Sequence, residues 1–206
     1  MKVITISREF GSGGRELGKR LADELGFDYY DKEIITAIAQ GQGLDETYVE
    51  KALERHAWKS VPLAFGRSFA GAVALQSAQT NLLLEQKRVI ERIAEAGKDC
   101  IIVGRNADMI LEAVQPFNIF VCADMEAKIR RCAERAHDGE RLSRREMEQN
   151  IRRIDKNRAS TREMIGGGKW GERSAYHLIV NTTGWRIKEL TPAVADFATH
   201  WFGREA

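Results

Sequence analysis

The chain has 206 residues, 43 % apolar and 30 % charged, a composition that fits one folded domain with a sizeable core and excludes a disordered or fibrous chain. Its formal net charge of +2 is too small to imply a nucleic acid polymer as partner, so basic character has to be sought in local clusters.

No apolar stretch approaches the roughly 20 residues that span a bilayer, so no membrane contact is expected. The opening MKVITIS is too short for a secretory apolar core. Three cysteines, Cys100, Cys122 and Cys132, show no C-x-x-C spacing and argue against a disulfide framework or a zinc site. A reducing, cytoplasmic setting is the expectation.

Val3 to Ser7 reads as a first strand that ends in a glycine-rich turn. Gly14 to Leu25 reads as a helix with Leu17, Leu21, Ala22 and Leu25 on one face, stopped by Gly26. Phe27 to Tyr30 predicts a short strand, and Asp31 is placed to cap the helix begun by DKEIITAIAQ. Residues 44–97 carry no strand signal and read as helical, with a loop near Ser60 to Gly66 and an amphipathic segment from Leu82 to Ala96. Cys100 to Val103 is a buried strand followed by a turn and helix in GRNADMIL. Asn118 to Val121 is the next strand. Two arginine-rich helices, Glu126 to Ala136 and Ser143 to Arg158, flank HDGE. After a loop from Gly166 to Gly171, His177 to Val180 is a last strand, and Gly184 to Thr199 is a closing helix.

Strands thus alternate with helices, and the strands are apolar without clean alternation. That pattern predicts a parallel sheet covered on both faces. Ligands in such sheets bind at the carboxyl ends of the strands, so chemistry is expected in the turns after Ser7, Tyr30, Val103, Val121 and Val180.

The first of these turns, EFGSGGRELGKR, lies between a strand and a helix. Its glycines let backbone N–H groups approach an anion, and the helix N-terminus adds partial positive charge. It spells neither the dinucleotide fingerprint, which Glu16 interrupts, nor the loop G-x-x-x-x-G-K-[ST]. In the best register the loop runs from Arg8 to Gly14, and Arg15 or Arg8 supplies the cation that lysine usually gives. The plain alternative is a tight strand-to-helix turn. Arg105 in GRN stands at the end of a buried strand, suited to a phosphate or to a neighbouring carboxylate. Arg131 and Arg135 share one helical face, and Asp155 and Arg158 are i, i+3 partners. Such helices are either solvated faces or parts of a lid that brings cations to transferring phosphates. The tryptophans share no spacing, and the histidines, His56, His137, His177 and His200, form no triad or metal cluster.

ITISREFGSGGRELGKRLADELGFDYYDKEII, IIVGRNAD, DKNRAS and GKWG…NTT, in this order along nearly the whole chain, resemble the cytidylate-kinase-like family of P-loop nucleoside monophosphate kinases. The resemblance implies an α/β, three-layer P-loop NTPase-type fold with a five-stranded parallel sheet. It implies a single domain with its core at 1–43, 98–136 and 176–206, a helical nucleotide-acceptor insertion at about 44–97 and a short lid with flanking helices at about 137–165. It also implies transfer of a phosphoryl group from ATP, with Mg2+, to CMP, dCMP or a similar small phosphate acceptor.

By position, Gly11, Ser12, Gly13, Gly14, Arg15 and Glu16 stand at the ATP phosphate loop. Asp31, Arg105, Asp155 and Arg158 stand at the acceptor site. Arg131 and Arg135 resemble lid arginines with catalytic charge. Asn181, Thr182 and Thr183 stand beside the adenine. The departures are specific. Gly14 occupies the loop lysine's position, Glu16 that of the hydroxyl residue, and Asn106 that of the aspartate in GRD. No magnesium ligand is therefore assigned. Three readings stay open: a CMP/dCMP kinase with Arg15 in place of lysine, a non-catalytic nucleotide-binding protein, and a kinase for another acceptor.

Overall fold

A computed structural model describes residues 1–46, 49, 69–135, 142–166 and 168–204. The expected loop near Ser60 to Gly66, His56 and Trp58, and the HDGE segment with His137 lie outside the described residues. Five strands form one parallel sheet: β1 (Val3–Arg8), β2 (Asp28–Tyr30), β3 (Cys100–Val103), β4 (Phe117–Cys122) and β5 (Leu178–Asn181). Their order is β2-β3-β1-β4-β5, so β1 is central. Val3 is in register with Cys100 on one side, and Ile4 with Phe117 on the other. β5 starts at Leu178 and not at His177, where the His177 N–H still donates to Asn118 O (2.8 Å) and the Asn118 N–H goes to the His177 ring Nδ1 (3.0 Å).

Seven helices are described: α1 (Gly14–Leu25), α2 (Lys32–Gln42), α3 (Phe69–Glu95), α4 (Ala107–Ile110), α5 (Met125–Arg135), α6 (Arg144–Met164) and α7 (Ile187–Gly203). Alternate strand residues feed two cores. Ile4, Ile6, Ile101, Val103, Phe117 and Ile119 pack against Leu17 and Leu21 of α1 and Val194 and Ala198 of α7. Val3, Cys100 and Ile102 face Ile34 and Ile38 of α2 and Val89 and Ile90 of α3. Each fully buried Leu or Ile contributes about 1.5–3 kcal/mol. The result is a helix–sheet–helix sandwich whose loops gather at the carboxyl ends of the strands.

Two helices depart from sequence expectation by several residues. α6 runs to Met164, past the expected end at Arg158, because its last turn is held by tertiary contacts: Arg162 is buried and pairs with Asp108 of α4 at 2.5 Å. Its start is as written in the sequence, with Ser143 and Glu146 forming a capping box. α7 begins at Ile187 because the Trp185 N–H is taken up in a turn to Thr182 O (3.2 Å). Among the described residues no helix is long and apolar enough to cross a membrane.

Candidate active site

β1 ends at Arg8, and the chain crosses the carboxyl edge of the sheet before entering α1. The crossing is pinned at its start: Glu9 N–H donates to Val121 O (2.9 Å), and the Ser12 hydroxyl donates to Glu9 O (2.8 Å). Gly11 (φ 76°) and Gly13 (φ 85°) adopt left-handed backbone, which glycine alone takes at no steric cost. Gly13 stands at the N-cap of α1, where no side chain caps the helix. The first-turn N–H groups of Gly14, Arg15 and Glu16 therefore have no acceptor within the helix. The helix start lines a crevice of about 360 Å³ together with Arg8, Gly11, Gly13, Arg131, Arg135 and Arg158. Such a helix start attracts anions.

The loop is held from beneath by residues far along the chain. Buried Lys128 lies 2.8 Å from Glu9 Oε2 and 3.2 Å from Asp155 Oδ2. Asp155 Oδ1 accepts the Phe10 N–H at 2.6 Å, and Glu9 Oε2 accepts the Ala123 N–H at 3.1 Å. Burial pushes the Asp155 carboxyl up, against the pull of the Phe10 N–H, Lys128 and Arg158. Arg158 donates to Arg8 O (2.9 Å), sits 3.6 Å from Asp155 and lies over the Phe10 ring at 5.8 Å.

Arg131 is buried, and it donates to four oxygens: Ser12 O (3.4 Å), Thr182 Oγ1 (3.0 Å), Thr182 O (2.6 Å) and Trp185 O (3.1 Å). The Thr182 hydroxyl in turn reaches Ser12 O at 2.7 Å. Arg131 thus clamps the glycine loop to the loop after β5, at the wall of the same crevice. Asn181 and Thr183 shape the same loop: Asn181 Oδ1 accepts the Thr183 N–H (3.0 Å), and Thr183 Oγ1 accepts the Asp124 N–H (2.9 Å). Arg135 is half exposed and pairs with Glu16 at 2.5 Å.

On the β2–β3 side, the structure corrects the expectation that Asp31 caps α2, since its side chain makes no cap hydrogen bond. The buried carboxylate instead receives Arg8 Nη2 at 3.3 Å on one oxygen and Arg15 Nε on the other. Arg15 thus pairs with Asp31, whereas Glu16 is shared by Arg20 (2.9 Å) and Arg135. Arg105 and Asn106 continue the left-handed turn begun at Gly104, with φ of 59° and 53°. A non-glycine residue held there stores strain of the kind that clusters at functional sites. Gln86 of α3 fixes this turn by donating to Arg105 O (2.9 Å). Burial first, then Arg158, with Arg105 and Arg15 adding, lowers the Arg8 guanidinium to about 9, where it still carries its charge at neutral pH.

Lys128, Glu9 and the Arg162–Asp108 pair were not singled out by sequence reasoning. Nothing local marks a lysine in a charged helix as buried, because its two partners lie at positions 9 and 155. Among the described residues no group of three His, Cys, Asp or Glu side chains is placed to hold a metal ion. Glu16, at the hydroxyl residue's position, is already engaged by two arginines. These residues do not form a dedicated magnesium cage; a cation arriving on nucleotide phosphates keeps most of its ligands as phosphate oxygens and water.

The model of the cytidylate kinase-like family matches residues 3–184. The chain belongs to the cytidylate kinase-like family. It is 24 % identical over 208 residues to the cytidylate kinase of Thermotoga neapolitana, covering 91 % of this chain and 92 % of that one. A solved structure of an uncharacterized protein from Eubacterium ventriosum superposes with a TM-score of 0.70 at 21 % identity, over 97 % of this chain and 99 % of the other. The shikimate kinase of Acinetobacter baumannii, in complex with shikimate, superposes with a TM-score of 0.56 at 14 % identity, over 97 % and 94 %. At these identities the structural likeness speaks for the fold, which is that of the P-loop kinases. This member of the cytidylate kinase-like family keeps that frame with glycine at position 14.

Proposed function

We propose that this family member is a phosphotransferase that moves the γ-phosphoryl group of magnesium-bound ATP to CMP, dCMP or a similar small phosphate acceptor. The observation that carries the reading is a convergence of charge. The open first-turn N–H groups of α1 belong to a helix whose start, Gly14 and Arg15, lines the same crevice as Arg8 and Arg158. Arg105 lies close enough to Arg8 to act on its proton affinity, and buried Asp31 is the carboxylate between Arg8 and Arg15. Phosphoryl transfer needs that arrangement more than it needs covalent chemistry, because positioning and charge neutralisation supply the catalysis. A phosphate acceptor is already anionic near neutral pH, so the scheme requires no general base.

In this reading the backbone from Gly11 to Glu16 receives the ATP phosphates, and the loop of Asn181, Thr182 and Thr183 borders the adenine. Arg105 and Arg158 take the acceptor phosphate, with Asp31 orienting the arginines and Asp155 fixing the donor loop. Arg135, exposed beside the loop, is free to leave Glu16 for phosphate at the cost of one surface ion pair, about 0–1 kcal/mol. A second reading, a nucleotide-binding protein without turnover, draws on the glycine at the lysine position.

Release of ADP, measured by a coupled assay across all ribo- and deoxyribonucleoside monophosphates and shikimate, separates these readings. One preferred pyrimidine monophosphate is the expected result. Arg105→Ala is expected to weaken that acceptor by about 1.5–3 kcal/mol, the worth of a charge-assisted contact, with ATP affinity changed less. ATP binding without ADP release for any acceptor supports the second reading, and a preference for shikimate shows that the acceptor site has diverged.

A further inference from the structure

The kinase reading leaves open which cation replaces the loop lysine, and four arginines near the loop are candidates. Arg131 is committed to four oxygens of the protein, and Arg135 is half exposed on Glu16. Arg15 leaves the first turn of α1 and turns to Asp31, with its side chain 49 % exposed. Arg8 is different, because two glycines are emptied for it.

A Cβ at position 14, where a lysine stem would begin, would stand 2.6 Å from the Cβ of Arg8 and 3.2 Å from its Cγ. Non-bonded carbon atoms do not tolerate the first distance, and both atoms belong to the fixed root of the arginine rather than to its mobile end. The stem of Arg8 thus occupies the space that a side chain at position 14 would need. Across the crevice, a Cβ at position 104 would stand 1.8 Å from Arg8 Nη1 and 3.0 Å from its Cζ. Arg8 therefore spans from the root of the glycine loop to the turn that carries Arg105. Its side chain is only 11 % exposed, and its backbone carbonyl is held by Arg158 at 2.9 Å. Its ion pair to Asp31 is 3.3 Å long and shared with Arg15. A buried guanidinium with a shared carboxylate gains from a second anion, and its planar fork suits two phosphate oxygens.

We infer that Arg8 takes the place of the loop lysine, laying its guanidinium on the transferring phosphoryl group between the donor loop and the acceptor arginines. This rests on the kinase reading. In the step, an oxygen of the acceptor phosphate bonds to the γ-phosphorus while the bond from that phosphorus to the β,γ-bridging oxygen breaks. The bond's electron pair stays with ADP. Arg8 neutralises the charge on the equatorial oxygens and neither gives nor takes a proton. Gly14 and Gly104 are the complement of this swap: the loop has moved its cation from α1 to the end of β1, and both facing positions must lack side chains.

The test is a set of four variants, Arg8→Ala, Arg8→Lys, Gly14→Lys and the double variant Arg8→Gly with Gly14→Lys. It is read by ADP-release kinetics, ATP calorimetry and apo thermal melting. The expected results are a fall in kcat of about a hundredfold or more for Arg8→Ala, with KM for ATP changed less than about threefold, and partial retention in Arg8→Lys. Gly14→Lys alone is expected to be as poor as Arg8→Ala, and the double variant to recover at least about tenfold over both. Melting of the apo proteins and the recovery in the double variant separate loss of the cation from failure to fold. Wild-type turnover with Arg8→Ala within threefold of it overturns this inference alone. A wild type that binds ATP without turnover, or binds none, overturns the kinase reading and the role of Arg8 with it.

Discussion

Arg131→Ala separates a structural clamp from a catalytic lid residue. The side chain is 9 % exposed, so its bonds form with little competition from water. Of its four acceptors, Ser12 O keeps the Thr182 hydroxyl at 2.7 Å and Thr182 O keeps the Trp185 N–H at 3.2 Å. Trp185 O and the buried Thr182 Oγ1 lose the donor, and Trp185 is exposed enough for water to replace it there. The loss therefore amounts to one short charge-assisted bond, to Thr182 O at 2.6 Å, plus a weaker one and some packing of the stem. At about 1.5–3 kcal/mol for the strong bond, the total is about 3 kcal/mol. For a chain of this size that lowers the melting temperature by about 6–12 °C. The measurement is urea unfolding of the apo protein with a parallel melting curve, and Arg131→Met is expected to recover only the packing. A stability change under about 1 kcal/mol together with a large loss of turnover would refute the clamp and return Arg131 to the lid role.

Two further outcomes are expected. Asp108→Ala leaves Arg162 buried without its 2.5 Å partner and should cost about 3–5 kcal/mol in urea unfolding; the double variant Asp108→Leu with Arg162→Met should recover most of it, and a loss under 1 kcal/mol would count against the pair. His177 is held below its ordinary value, by burial first and Arg204 second, and its Nδ1 accepts the Asn118 N–H. The folded protein therefore binds this proton less readily than the unfolded chain, so the stabilisation is fully present above pH 6.5 and is lost as pH falls through the lowered folded value. His177→Phe, which keeps the ring contacts with Phe117 and Trp201, should flatten the decline in urea midpoint between pH 7 and pH 5; an unchanged slope would locate the titration elsewhere.

Much of the frame was legible because apolar runs such as Cys100 to Val103 are bounded by glycine, and Leu17 and Leu21 recur at helical spacing. The site was legible only in outline. Glycines at 11, 13 and 14 marked the loop, but a lone Asp31 before a helix looks like a cap until Arg8 and Arg15 are seen on it. Arg131 and Arg135 share a helical face in the sequence, yet one is buried among carbonyls and the other is half in water. Lys128 carries no local signal, because its environment is built by residues more than a hundred positions before it and 27 after. Periodicity records which face of an element is buried and leaves unstated which distant groups meet it there.

The central position of β1 also governs the order of assembly. Val3 and Ile4 find their partners at Cys100 and Phe117, so neither ladder of β1 can close until about a hundred further residues have been made. Arg8 gains its setting later still, since the carbonyl-holding Arg158 lies 150 positions on. Contacts so distant in sequence require large loops to close first, which slows folding and leaves apolar strand edges exposed meanwhile. The charged crevice is thus among the last features that a growing chain can complete, and a partly made chain carries the phosphate loop's residues without its shape.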